Sequence, residues 1–518
     1  MNIKALHAIP RPAPESDGPQ EGDWRPPRRR RWGLWIGVAC VVLIAGLAVG
    51  YRLWTRATRA RLDATLDQLR REGEPVSPAD LVRPAVAPDD NAVFDLRAAA
   101  MLIDATSVAW KNYQSMGLEE MPAEQARSII AKVLEPEESR KALARVRAAR
   151  GKRSADWQTP VSSPLVSMLL PDLGLQRNVA ELCRAAATDA RSRKDYGDTV
   201  EYTRDILVVS RAAMSQPALI SHLTAVGISM VAAGQVEEAL PTLRVASAGG
   251  ASAAGPAAQG EQPATPEQVR GLIAELLDES DCRRGLIQGL RDERVMELDT
   301  ALAIVDGKLD AAAVFAGAGV AAGSVAPAML MPKPMILSDA KILVDYNTAT
   351  IKALQRSPDY PAYGLNAPAD PFGPAGGQPL RGHAMARLLM PAYQHAIVTH
   401  YHALAERRLA AAALAVKWYQ ADHDGKPPAT LEELVPKYLP AAPADPFAPG
   451  GKPLRYAAEA KRLVVYSVGE NGVDDGGSDA PMSGRRLKQQ RWDHLDAVLS
   501  LKPKEADDPD VTPAPGKD

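Results

Sequence analysis

The amino-acid sequence predicts a mainly helical protein with a single transmembrane anchor, an extracytoplasmic helical body and a small C-terminal α+β module. Three observations lead to this fold class. An uncharged apolar run covers Trp32–Tyr51, and the chain from Asn91 to about Leu240 is rich in Ala, Leu, Arg and Glu with helical periodicity. Near the C-terminus, Leu454–Tyr456 and Leu463–Val468 have the composition of β-strands.

The apolar run has the length of a membrane span. At about 1.5 Å per residue, a helix over its twenty residues reaches roughly 30 Å, the thickness of the hydrocarbon core of a bilayer. Trp32, Trp35, Tyr51 and Trp54 lie near its two ends, where aromatic rings favour the membrane interface. A cleaved signal peptide has a shorter apolar region followed by a small-x-small site, whereas Tyr51-Arg52-Leu53-Trp54 follows here. The sequence therefore predicts an uncleaved anchor.

The charges that flank the span set its predicted orientation. The block Arg28–Arg31 abuts the span on its N-terminal side, and about 450 residues follow the span. Arg52, Arg56 and Arg59 carry positive charge on the other side, but they do not form a block. The positive-inside rule favours an N-terminus in the cytoplasm. We expect a single-pass protein of the inner membrane that contacts lipid through the anchor, with its bulk in the periplasm.

Composition limits the function further. The 518 residues suffice for two to four domains or one extended helical array. The net charge of −2 gives no electrostatic reason to expect nucleic acid as a partner. Cys40 lies in the span, which leaves Cys183 and Cys282, and no pair has CxxC spacing. These two cysteines fit either one disulfide or two buried thiols.

Changes in composition divide the chain into seven predicted segments. They are a disordered basic tail (1–31), the transmembrane helix (32–52), a helical body (53–245), a flexible linker (246–266), a helical region with an Ala/Gly-rich insertion (267–383), a long helix with a β-hairpin module (384–482) and a C-terminal tail (483–518). The helix–turn–helix order of the body resembles tetratricopeptide hairpins, but no strict 34-residue repeat is visible. The insertion, Ala311–Pro332, is uncharged, yet its Ala, Gly and Pro content makes it a poor membrane span.

A short motif occurs twice in the second half of the chain. Ala367–Phe372 and Ala442–Phe447 both read Ala-Pro-Ala-Asp-Pro-Phe, and one long helix from about Ala384 to Gln420 is predicted between them. Asp-Pro favours a rigid turn because proline presets φ and Asp can accept a hydrogen bond from the backbone two residues on. Only the second copy leads into strand-like sequence, so a β-hairpin is predicted there.

The region from about Ala405 to Ala480 resembles the headpiece of the major pseudopilin (protein G) of bacterial type II secretion. The resemblance rests on an ordered series of pieces: Lys417–Gln420, Gly425–Pro428, Leu431–Leu434, Tyr438-Leu439, Asp445–Phe447, Pro453–Tyr456 and Val465–Gly477. It covers about 75 residues, roughly a seventh of the chain. More broadly, the layout resembles uncharacterised single-span bacterial envelope proteins, whose Gly-Glu-Pro motif is matched by Gly73–Pro75.

The resemblance implies a calcium site, and it also has a clear departure. In that family a calcium ion secures the last loop, and the matching positions are Asp474 and Asp475, with Asn471 and Asp479 as further oxygen donors. The alternative is an acidic, glycine-rich turn without an ion. Pseudopilins carry a Glu inside the hydrophobic N-terminal helix, and the segment Gly33–Gly37 of this chain lacks one. We therefore do not expect incorporation into a filament by the pseudopilin route.

The sequence contains no catalytic motif. Five of the eight histidines lie between His383 and His423, but none of the pairs on the long helix has the i,i+3 or i,i+4 spacing of a helical zinc site. His395 and His402 share a face two turns apart, and His400 lies on another face. The chain has no Gly-x-Ser-x-Gly, His-Glu-x-x-His or phosphate-binding loop. No catalytic residue, and no enzyme, is predicted.

Two functions fit these observations. The first is a membrane-anchored scaffold or assembly protein of the bacterial envelope that acts through contacts with protein partners. The second is a membrane-anchored hydrolase or small-molecule-binding protein with a site between helices that has no sequence motif. A stable protein partner would favour the first function, and a well-formed polar pocket would favour the second.

Overall fold

The computed structural model describes residues 32–104, 107–115, 121–168, 170–247, 260–312, 314, 331–373, 383–459, 462–482 and 491–502. The chain divides into two compact units, Met1–Arg56 and Ala57–Asp518. Of the predicted segments, the basic tail 1–31 and most of the Ala/Gly-rich insertion lie outside the described residues, as do residues 248–259 of the linker and 503–518 of the C-terminal tail.

The first helix, α1, covers Trp32–Arg71 and contains the predicted span. Its apolar side chains are exposed: Trp35 has 70% of its surface accessible and Val41 has 66%. Among the described residues, α1 and the later helix Leu219–Ala239 are long and apolar enough to cross a membrane. The later helix is two-thirds buried inside the protein, so packing in the core accounts for its apolar composition.

Helices α2 to α9 form the first part of the body. They are α2 (Val93–Leu102), α3 (Val108–Ser115), α4 (Ala123–Leu134), α5 (Glu137–Ala149), α6 (Pro171–Ser192), α7 (Tyr196–Ala213), α8 (Leu219–Ala239) and α9 (Pro266–Leu277). The predicted helical body is thus confirmed, and α6, α7 and α8 pack on one another in sequence order.

Local capping explains where two of these helices begin. At the start of α7, the Asp195 carboxylate accepts a hydrogen bond from the backbone N–H of Asp198 at 2.9 Å. At the start of α9, Thr265 and Gln268 form a reciprocal capping box, and Pro266 occupies the first helical position. Each cap satisfies amide groups that the helix itself leaves without a partner.

Four further helices complete the helical part: α10 (Ser280–Val305), α11 (Lys333–Arg356), α12 (Tyr360–Asn366) and α13 (Ala384–Asp422). Helix α13 is the long helix that the sequence predicts. It contacts α8, α9 and α11 as well as the small β-sheet. Its middle, Leu409–Val416, is buried on every side with at most 1% of any residue exposed. Alanine dominates this segment because neighbours approach it from all directions.

The C-terminal module contains three antiparallel strands in the order β1–β2–β3. They are β1 (Arg455–Ala458), β2 (Leu463–Ser467) and β3 (Ala497–Ser500), and the central Val465 pairs with Tyr456 on one side and Leu499 on the other. The predicted hairpin of β1 and β2 is present. The third strand corrects the predicted boundaries, because β3 lies in the segment 483–518 that was assigned to a tail.

Both copies of the repeated motif form the expected turn. Asp370 accepts a hydrogen bond from the N–H of Phe372, and Asp445 accepts one from the N–H of Phe447, at 2.9 and 3.0 Å. Only Asp445 is buried, and its carboxylate also accepts hydrogen bonds from the Ser467 hydroxyl and the Val468 N–H. The second turn is therefore fixed to the end of β2, whereas the first remains at the surface.

The end of α1 and the predicted segments that follow it share one hydrophobic core, which extends from Leu62 to Leu501. Even the end of the predicted linker is paired with the body: Ala246 N–H donates to the Ala264 carbonyl, and Ala264 N–H donates to the Arg244 carbonyl. The structure thus joins the body 53–245, the region 267–383 and the module 384–482 in the unit Ala57–Asp518.

A buried ion pair joins the loop after α1 to α10, and it generates a test of the fold. The Arg294 guanidinium is 1% exposed and donates to the Glu74 carboxylate at 2.7 Å, which Arg291 also contacts. Replacing Glu74 with Gln would leave the buried Arg294 charge uncompensated. We expect Glu74→Gln to lower the free energy of unfolding by about 3 kcal/mol in chemical denaturation. Glu72→Gln, which removes an exposed contact with Lys352, is the matched control and should change little.

The pair Glu74–Arg294 predicts that the free energy of unfolding depends on pH. Burial raises the pKa of Glu74, but hydrogen bonds from Arg291 and Arg294 outweigh burial and hold the pKa below its ordinary value. A carboxyl with a lowered folded-state pKa stabilises the fold above its unfolded pKa of about 4.3 and loses this contribution as pH falls. The difference between wild type and Glu74→Gln should therefore shrink below about pH 4. An equal difference at all pH values would contradict this assignment.

Candidate functional site

The four residues predicted to bind calcium lie in and after the loop that follows β2, and protein groups contact three of their side chains. Asp474 receives hydrogen bonds from Arg455 at 2.9 Å and from the Tyr466 hydroxyl at 3.1 Å. The Asn471 amide donates to Asp475 at 3.0 Å. Asp479 instead lines a surface recess with Arg491. Asp479 thus has different neighbours from the other three residues.

Asp496 forms hydrogen bonds with the backbone of this loop, and no sequence pattern predicted this contact. Its side chain is buried and accepts hydrogen bonds from the N–H groups of Gly477, Ser478 and Asp475 at 2.8, 2.9 and 3.4 Å. Across the described ranges, no three His, Cys, Asp or Glu side chains form a metal-binding group. Calcium binding by this loop stays a prediction, and an ion on Asp474 would compete with the hydrogen bond from Arg455.

The structure also shows the surroundings of Cys183, Cys282 and two histidines of α13. Cys183 and Cys282 are both buried free thiols, so the structure shows the second of the two alternatives. His402 contacts Glu470 at 2.8 Å and stacks on Trp492. His400 is buried against His222 of α8, with 5.2 Å between the ring centres. Helical spacing could not reveal this histidine pair because its members come from different helices.

One candidate site is a recess beside the N-terminal half of α10, which we call the first recess. It has a volume of about 480 Å³ and lies between α10, the last turns of α7, the turn after α5 and the segment around Leu81. A second recess of about 600 Å³ lies beside the same part of α10, and Arg284 and Gln288 line both. The second recess has a more apolar wall, which includes Leu286, Leu354 and Leu404.

A buried asparagine positions the turn after α5 at the first recess. The Asn91 side chain is fully buried, accepts hydrogen bonds from the N–H groups of Val93 and Asp156, and donates to the Asp156 carbonyl. The Ser154 carbonyl also accepts from the N–H of Ala92 at 2.9 Å. These bonds hold residues 152–156 against the start of α2, so that Arg153 faces the recess with its backbone fixed on both sides.

The first recess is positively charged. Among the residues that line it, five are cationic and two are anionic: Arg83, Lys152, Arg153, Arg211 and Arg284, against Asp80 and Asp281. Three of these cations have carboxylate partners, since Arg83 pairs with Asp292, Lys152 with Asp95 and Arg284 with Asp281.

Two arginines of the first recess form no salt bridge within the described part of the chain. Arg211 donates a hydrogen bond to the Lys152 carbonyl, at 3.2 Å, and interacts with Asp278 only at longer range, and Arg153 is exposed without an ion pair. A guanidinium presents five N–H donors in a fixed fork that matches carboxylate and phosphate groups. The arrangement can therefore bind an anionic group through Arg153 and Arg211.

Two carboxylates lie further along α10 and do not line the first recess: Glu293 is half-buried and Glu297 is buried. Burial raises the pKa of Glu293 to about 7 and that of Glu297 well above its ordinary value, and Glu297 accepts a hydrogen bond from the Tyr393 hydroxyl. A raised pKa is common at catalytic sites, but catalysis also needs access for a substrate. No nucleophile–base pair lies beside these carboxylates in the described residues, and we assign no catalytic residue.

No protein family, no curated protein and no solved structure matches this chain. The fold and the recess thus define a class of protein only: a mainly helical protein with a small antiparallel sheet and a positively charged recess between helices. The resemblance of the C-terminal module to pseudopilins stays a prediction.

Calcium binding can be tested on the intact chain. An ion that binds only the folded state stabilises it by about 2.7 kcal/mol at a hundredfold excess over Kd. If the loop binds calcium, purified protein melts at a higher temperature in calcium than in chelator, and Asp474→Ala with Asp475→Ala abolishes the difference. Equal melting temperatures for the wild type would show that Arg455 and Asp496 hold the loop without an ion.

Proposed function

We propose that this protein is a membrane-anchored, extracytoplasmic protein of the bacterial envelope that binds a small molecule bearing a phosphate or carboxylate group. The observation that carries the proposal is the first recess, where Arg153 and Arg211 form no salt bridge with a carboxylate among the described residues. Of the two functions that fit the sequence, this observation supports the small-molecule-binding protein, without assigning any hydrolysis to it.

Size and charge both support a small anion as the ligand. Binding sites for small molecules usually have volumes of about 300–1,000 Å³, and the first recess falls within that range. The whole chain has a net charge of −2, whereas the recess has an excess of positive charge. A local potential of this kind attracts anions and raises their association rate. Helices α7 and α10 of the core form part of its wall, and hydrogen bonds of the buried Asn91 hold the turn that carries Arg153.

Anchoring is supported by α1. Its apolar part, from Trp32 to Trp54, exposes large side chains to the surroundings, which is costly in water and favourable in lipid. The block Arg28–Arg31 next to it supports a cytoplasmic N-terminus. The proposed membrane is the inner membrane, with the body and the module in the periplasm.

A second candidate is a scaffold that binds protein partners through a third recess. This recess has a volume of about 340 Å³ and is lined by Tyr360, Tyr363 and Phe447, and Leu365 on the same short helix as the two tyrosines is 90% exposed. Aromatic side chains are enriched in protein interfaces. Recovery of a stable partner in mild detergent, with its loss in a Leu365→Glu variant, is the result that this candidate requires.

Anion binding is tested by calorimetry on the purified full chain, with inorganic phosphate and citrate as probes. We expect Arg211→Ala and Arg153→Ala each to weaken binding by about tenfold or more, because a hydrogen bond to a charged group contributes about 1.5–3 kcal/mol. Binding by the wild type should also weaken as ionic strength rises, since salt screens partly exposed charges.

Arg140→Ala is the matched control, because it removes the same charge from the exposed face of α5. Its affinity for both probes should equal that of the wild type. Failure of both probes to bind, or equal weakening by Arg140→Ala, would contradict a site in the first recess.

Topology is tested with reporters fused after Ala60. The proposed orientation requires activity from a reporter that works only in the periplasm and none from a reporter that works only in the cytoplasm. The reverse pattern would place the body in the cytoplasm and would refute the orientation.

A further inference from the structure

The second recess combines an apolar wall with positive charge. Its volume is about 600 Å³, and its wall includes Leu286 and Ile287 of α10, Leu354 of α11 and Leu404 of α13. Sites that bind small molecules are mostly lined by apolar side chains, with a few polar groups that fix the orientation of the ligand. A ligand that fills this recess therefore needs an apolar body.

The charges around the second recess favour an anion. Among the described residues that line it, four are cationic and one is anionic: Arg283, Arg284, Arg291 and Arg408, against Glu279. Three of these cations have carboxylate partners, since Arg284 pairs with Asp281, Arg291 with Glu74 and Arg408 with Glu279. The remaining excess of positive charge attracts an anion and repels a cation.

Arg283 is the cation of this recess that forms no salt bridge within the described part of the chain. Its Nη2 group donates to the carbonyl oxygens of Leu354, Gln355 and Ser357, at 3.2, 3.4 and 3.3 Å. These three residues line the recess, so the bonds hold the guanidinium against its wall. They leave the N–H groups on Nε and Nη1 to donate to a ligand.

Two aromatic residues of α13 add polar groups to the same space. His400 and Tyr401 line the recess, with 5.4 Å between their ring centres. His400 is 3% exposed, and its Nδ1 atom has no hydrogen-bond partner in the described residues. Buried polar atoms in native proteins are nearly always paired, so an unpaired one indicates a bound water or ligand. Burial, with smaller effects of His222 and Arg283, lowers the pKa of His400 well below its ordinary value, so the ring is neutral and can donate one N–H.

We propose that the second recess binds a fatty acid, with its carboxylate between Arg283 and His400 and its chain along the apolar wall. The carboxylate compensates the charge of Arg283 and accepts the hydrogen bond that the buried imidazole can donate. The leucine and isoleucine side chains of the wall cover the chain. The proposal goes beyond anion binding in the first recess and does not depend on it, since neither Arg153 nor Arg211 lines the second recess.

The test is equilibrium dialysis of hexanoate, octanoate and decanoate against the purified full chain in lipid nanodiscs, with empty nanodiscs as the blank. We expect saturable binding of one equivalent, with an affinity that rises about fourfold for each added CH2 group, as burial of that group in an apolar site predicts. Octanol has the same chain without the charge. It should bind at least about tenfold more weakly than octanoate, because a hydrogen bond to a charged group is stronger than one to a neutral group.

Two variants separate the charged end of the site from its apolar wall. Arg283→Gln should weaken octanoate binding by about tenfold or more and leave octanol binding unchanged. Ile287→Ser should weaken both probes by a similar factor, since it removes apolar surface at a half-buried position of the wall. Arg356→Gln is the matched control, because Arg356 is exposed at the end of α11 and does not line the recess, and it should bind like the wild type.

Thermal melting without ligand shows whether each variant folds, and the wild-type comparison of octanoate with octanol decides the question without any variant. Equal affinity of the wild type for these two probes, or equal weakening of octanoate binding by Arg283→Gln and Arg356→Gln, would overturn the proposal. Loss of octanoate binding in Arg211→Ala, with Arg283→Gln unaffected, would place the carboxylate in the first recess and would overturn it as well.

Discussion

The all-round burial of the middle of α13 is the constraint on which the rest of the structure depends. Residues Leu409–Val416 are fully buried, and the helix that contains them contacts α8 and α9 of the body and the sheet of the C-terminal module. Small side chains allow these neighbours to approach closely, and a larger side chain among the alanines would overpack the core. Because one helix belongs to the cores of both the body and the module, the module cannot separate without exposing it. The structure is therefore a single cooperative unit after α1, not a body that carries an independent terminal domain.

The same core makes the recesses beside α10 rigid. Helix α10 packs on α8 and α11, and the Glu74–Arg294 pair fixes it to the loop after α1. In the first recess, Arg211 belongs to α7, and the turn that carries Arg153 is held by hydrogen bonds of the buried Asn91. The two arginines of the proposed anion site thus come from distant parts of the chain, and the fold brings them together.

Sequence patterns predicted the elements that form between residues close together in the chain. They missed the contacts between residues that are distant in the chain. The apolar run, the helices and the β1–β2 hairpin follow from composition and periodicity, and the predicted helix Ala384–Gln420 ends within two residues of the observed Asp422. Strand β3 was missed because Ala497–Ser500 is short and reaches β2 only through tertiary contacts. Arg153 and Arg211 look like ordinary surface arginines, and neither has a neighbour in sequence that indicates a site. The hydrogen bonds that join the loop after β2 to Arg455 and Asp496 could not be read from the chain, because these partners are distant in sequence.

Native-state hydrogen exchange, resolved by peptide in the intact protein, tests the central claim most directly. If α13 joins the body and the module into one unit, the amides of β2, of Leu409–Val416 and of α8 open only with global unfolding and share one opening free energy. The two halves of the core should then lose protection together as denaturant is added. Opening of β2 at a clearly lower free energy than α8 would show that the module unfolds independently, and it would contradict a single cooperative unit built around α13.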